Sequence, residues 1–62
     1  MKPGDSVIAK VFGGNEVQLT VVEVTDNTVV VCTQEEWEAS RREMRIPDGV
    51  GFSDSDVRLL SA

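Results

Sequence analysis

Nine consecutive residues limit what this chain can become. Val29-Val30-Val31-Cys32 is a strand-forming run rich in β-branched residues; it stops at Thr33, and Glu36 follows three positions later. A Thr-x-x-Glu spacing lets each side chain satisfy a backbone N–H of the other where the first turn of a helix has no internal acceptor. The spacing therefore predicts a helix beginning directly after Thr33. From Gln34 to Arg45 there is neither a β-branched residue nor a glycine, and glutamates lead while arginines trail, the order favoured by the helix macrodipole. Glu38 and Arg42 are spaced as an acid-first i, i+4 pair, and Trp37 and Met44 fall on one narrow apolar stripe. Ile46-Pro47 ends the segment, because a residue before proline avoids the α region. The competing expectation for these residues is a long β-hairpin with polar arms.

The rest reads as strands. Ser6 to Phe12 alternates with apolar residues on both sides, and Gly13-Gly14-Asn15 follows as a loop where glycine supplies positive φ. No helix pattern follows that loop and no lysine adjoins it, so it does not read as a phosphate cradle. In Glu16–Thr25 the apolar set is Val17, Leu19 and Val21, then Val22 and Val24. That change of parity predicts a bulge near Val21-Val22. Asp26-Asn27 is the turn to a third strand, Thr28 to Cys32, whose apolar character predicts burial on both faces or a central position. Gly49 to Phe52 is a fourth short strand, Ser53-Asp54-Ser55-Asp56 a single helical turn, and Val57 to Leu60 a fifth strand. There is no repeat or linker, so residues 1–62 read as one domain.

At 62 residues the chain sits near the lower limit of independent stability, where only about 60% of the unfolded surface is buried. Cys32 has no partner cysteine and there is no histidine, so neither a disulfide nor a Cys/His zinc site can staple one chain. Cys32 reads as a small buried apolar residue, and a lone cysteine suits a reducing compartment. No apolar run approaches the roughly 18 residues of a membrane span, and Met1 to Asp5 lacks the pattern of a secretion signal. The expected location is cytoplasmic, with no membrane contact.

The strand pattern, the opening Gly4-Asp5-Ser6-Val7, the Gly13-Gly14 loop and the ending Asp56-Val57-Arg58-Leu59-Leu60 resemble small bacterial SH3-like barrel proteins of uncharacterised function. The resemblance implies a mainly β fold, a five-stranded SH3-like barrel; the one short helix read above, inserted between strands 3 and 4, departs from the minimal form of that barrel. It assigns no chemistry, because fold and function separate readily.

Function is narrowed by exclusion. Proline-rich peptide recognition needs an aromatic groove, but the chain has no tyrosine, and Phe12 and Phe52 are expected in the core. Nucleic-acid binding is the alternative reading, through Arg41, Arg42 and Arg45; a net charge of −5 and no second aromatic for stacking count against it. No catalytic residue is assigned, since no serine or cysteine has an evident base partner; an enzyme would need a site shared across a homo-oligomer. Neither a metal site nor a cofactor is expected, because Asp48, Asp54 and Asp56 lack the ligand count and spacing of a calcium loop. What remains is a protein-interaction or regulatory module, monomeric or homo-oligomeric, with an unidentified protein partner met by Trp37, Arg41, Arg42 and Arg45. Trp37 has a second possible fate, as the lid over the end of so small a core.

Overall fold

The computed structural model describes residues 1–60, apart from the side chain of Phe12. Five strands, β1 (Ser6–Lys10), β2 (Glu16–Val24), β3 (Thr28–Cys32), β4 (Val50–Ser53) and β5 (Val57–Leu59), form one antiparallel sheet in the order β4-β3-β2-β1-β5. The single α-helix, α1 (Gln34–Glu43), lies between β3 and β4, and a 3-10 turn, Asp54–Asp56, separates β4 from β5. The fold is mainly β with one helix, as expected. The sheet is not closed on itself, and β4 and β5 are its two edges.

The parity change in β2 is a bulge at Val22. Val21 pairs with Val31, but Glu23 pairs with Val30, so Val22 is the extra residue. Because directly paired residues share a face, Val21 and Val24, three apart, both sit on the side of Val31 and Val29. That side holds the core: Val7 and Ala9 of β1, Val21, Val29, Val31 and Val57, with Leu19 and Phe52 packed against it. Residues before β1 continue the pairing across the bend, since the N–H of Gly4 donates to the Val21 carbonyl and the N–H of Val21 to that of Asp5, both at 2.9 Å. Gly4 adopts φ +93°, a conformation that strains any side chain. At Gly49, just before β4, a Cβ would lie 2.6 Å from Val30 Cγ1 and 3.0 Å from the Val31 carbonyl oxygen, so the backbone reaches β3 only without one.

The helix covers part of the opposite face. Thr20 and Cys32 are paired across β2 and β3, point away from the core and are nevertheless buried. The Thr20 hydroxyl donates to Gln34 Oε1 at 3.0 Å, and Ser40, the buried residue of α1, donates its hydroxyl to the Trp37 carbonyl at 2.8 Å. Thr33 caps the helix as predicted, accepting the Glu36 N–H at 3.0 Å. The far end differs from expectation. The helix stops at Glu43, and Met44 takes the left-handed conformation at φ 55°. The N–H of Arg45 reaches the Ser40 carbonyl and that of Met44 the Arg41 carbonyl, a Schellman closure that ends the helix before Pro47 acts. Met44 is 93% exposed, so the stripe expected from Trp37 to Met44 does not form. No helix among the described residues is long and apolar enough to cross a membrane.

Two substitutions test this account of the helix ends. Thr33→Ala should cost about 0.5–2 kcal/mol in urea denaturation, and an unchanged midpoint would refute the cap. Met44→Gly should stabilise by roughly 1 kcal/mol, because it relieves a left-handed residue without removing packing. A lower midpoint for that variant would show Met44 to be held by contacts after all.

Candidate functional site

The helix presents two chemically different flanks. Gln34, Trp37, Glu38, Arg41 and Arg42 recur at the spacing of one helical face and line an open groove of about 390 Å³. Trp37 is half-buried, with the turn at Gly4 beside it: a Cβ built there would stand 3.6 Å from the indole Cζ2. The tryptophan is thus anchored at one edge and accessible at the other. Arg41 and Arg42 are exposed, and neither belongs to an ion pair among the described residues. The i, i+4 pair expected between Glu38 and Arg42 is not made. Both side chains border the groove instead.

The second flank is a closed electrostatic node. Arg45 grips both oxygens of Glu36, with Nη2 3.3 Å from Oε1, and its Nε lies 2.7 Å from Glu43. Glu36 also accepts the backbone N–H of Asp48 at 3.0 Å. The reciprocal half of the capping box is therefore absent: the Glu36 carboxylate turns to a bidentate guanidinium rather than back to the Thr33 N–H. Hydrogen bonds from Arg45, then the Asp48 N–H, lower the Glu36 pKa from its ordinary 4.5 to about 2. Hydrogen bonds to Glu36, then to Glu43, push that of Arg45 up. Of the four residues expected to meet a partner, the structure brings Trp37, Arg41 and Arg42 together. It sets Arg45 apart, neutralised by two carboxylates.

Cys32 is buried and free, as its sequence context suggested. Burial raises its pKa and the negative charge of Glu36 raises it further, so the thiolate needed of a nucleophile is disfavoured. No group of three or more potential metal ligands occurs among the described residues.

A second groove was not foreseen. Val11, Val17, Leu19, Val31, Val50 and Phe52 are among the residues around an opening of about 330 Å³ on the core side of the sheet, with Glu36 and Asp48 also bordering it. Val17 and Val50 pair with the buried Ala9 and Val31, so their side chains face inward, yet they remain 37% and 65% exposed. In the sequence they look like ordinary core valines. The available signal was the brevity of β4, set off by Gly49 and interrupted by Gly51.

Comparison of the chain with protein-family models, with curated proteins and with solved structures finds no match. The functional reading accordingly rests on geometry.

Because the folded-state pKa of Glu36 is depressed, its contribution to stability is complete above about pH 4.5 and disappears as pH falls through about 2. Glu36→Gln should melt below wild type at pH 6, with the gap constant down to about 4.5 and closing towards 2. A gap that stays constant across that window in thermal melts would refute the node.

Proposed function

We propose that this chain is a small SH3-like module that binds another protein and performs no chemistry, with the Trp37–Arg41–Arg42 face of α1 as its recognition surface. The architecture is supported by the strand order, the bend in β2 and the 3-10 turn immediately before β5. One observation carries the functional reading. A half-buried tryptophan shares an open groove with two arginines that have no carboxylate partner among the described residues. Tryptophan and arginine dominate binding hot spots because one offers a rigid apolar surface and the other a planar fork of donors. Here the indole is already fixed against the Gly4 turn, so little side-chain entropy is lost on binding. The expected partner surface is acidic, with an apolar residue to meet the indole. A cytoplasmic setting fits the unpaired, buried Cys32.

The nucleic-acid alternative is weakened by the fate of Arg45. With that residue tied to Glu36 and Glu43, only Arg41 and Arg42 of the predicted trio can neutralise phosphate, in a chain of net charge −5.

Affinity capture from the native host with wild type, Trp37→Ala and the double variant Arg41→Glu/Arg42→Glu tests the proposal. The wild type should retain a discrete protein that both variants lose, while circular dichroism shows that the exposed arginine substitutions leave the fold intact. Equal retention by all three would overturn it, as would salt-dependent binding of nucleic acid that the double variant abolishes.

A further inference from the structure

The second groove lies beside an unguarded strand edge, and the two features have a common use. Among the described residues β4 has β3 as its sole neighbour in the sheet, leaving its outer edge without a ladder partner. Edge strands ordinarily carry a charge, a proline or a bulge that discourages pairing. Val50-Gly51-Phe52-Ser53 carries neither a charge nor a proline, and its register against β3 is unbroken. The other edge, β5, is guarded: it is three residues long and holds Arg58, paired with Glu16 at 3.3 Å. On β4, Val50 and Phe52 project to the same inner side as Val31 and Val29, where Val17 and Leu19 complete the apolar walls of the groove. A strand laid along β4 would place every second side chain on that side.

Charge identifies the occupant. Asp48 stands just before β4 at the border of the groove, Asp54 follows it directly, and neither carboxylate has a cationic partner among the described residues. A second copy of this chain pairing antiparallel through β4 would set Asp48 of one strand near Asp54 of the other, a like-charge contact at both ends. A strand with a cation at each end meets a carboxylate in either direction. We propose that β4 accepts an extended segment of another protein, four to five residues of alternating apolar character flanked by lysine or arginine, as an added strand whose apolar side chains enter the Val17–Leu19–Val50–Phe52 groove. This surface shares no lining residue with the Trp37 groove, so it stands independently of that reading.

The probe is a capped hexapeptide of lysine, valine, threonine, valine, threonine and lysine, with a control in which glutamate replaces both lysines. Titration into the isotope-labelled chain should shift the amides of residues 49–53, with affinity falling as salt is raised. Val50→Ser should weaken binding about tenfold through loss of an apolar wall. As the residue is largely exposed, its amide spectrum should otherwise be unchanged. Asp48→Lys should weaken the basic peptide and improve binding of the acidic control, whereas Trp37→Ala should alter neither. The inference fails if the amides of residues 49–53 do not move, if the acidic control binds the wild type equally well, or if Val50→Ser binds as wild type does. Self-association of the chain that Val50→Ser abolishes would also overturn it, by assigning the edge to a second copy.

Discussion

Everything in this fold hangs on β2, which pairs with β1 along one half and β3 along the other while bending between them at Val22. A regular strand of nine residues would turn Val24 towards the helix side once Val21 faced the core. One unpaired residue keeps both valines on the same face as the chain changes direction. Among the described residues the core so assembled consists of five valines and an alanine, with no long or aromatic side chain fully buried; the expected core position of Phe12 lies outside them. Small β-branched residues have few rotamers to lose, which suits a domain with little apolar area to bury.

With the sheet bent, a chain of local bonds places the remaining parts. Thr33 starts the helix, Ser40 and Met44 close it, and Glu36 joins the returning segment at Arg45 and Asp48 back to the first turn. Asp48 is two residues from β4, and Gly49 permits the close approach to β3 that follows. The Glu36 node therefore orients the entry to the edge strand while leaving the Trp37 face unobstructed. The two candidate surfaces belong to different sides of one helical insertion, one built from the exposed face of α1 and the other from the strand to which its C-terminus leads.

Features set by neighbouring residues were legible in the sequence. The bounds of β3, the bulge, the cap at Thr33 and the turn before β5 each depend on steric or hydrogen-bonding preferences within a few positions. What was not legible depends on distance in the chain. Glu36 could not be known to favour Arg45 over its own cap, because the Schellman closure that returns Arg45 to it lies nine residues away. Nor could Val17 and Val50 be read as exposed: their pattern is that of core residues, and only the open sheet leaves them uncovered. The arginines divide for the same reason. Arg41 and Arg42 are on the helix, whereas Arg45 lies beyond a left-handed residue that swings it to the acidic side.

The pairing of β5 with β1 joins segments some fifty positions apart: Ile8 stands opposite Arg58, and the N–H of Leu60 reaches the Ser6 carbonyl at 3.0 Å. Since loop-closure entropy grows only slowly with length, so distant a pairing is thermodynamically acceptable, but it is expected to form after the local hairpins. It also brings the start of β1 and the end of β5 side by side. A unit whose first and last strands meet in this way can be spliced into a surface loop of a larger protein without stretching its host.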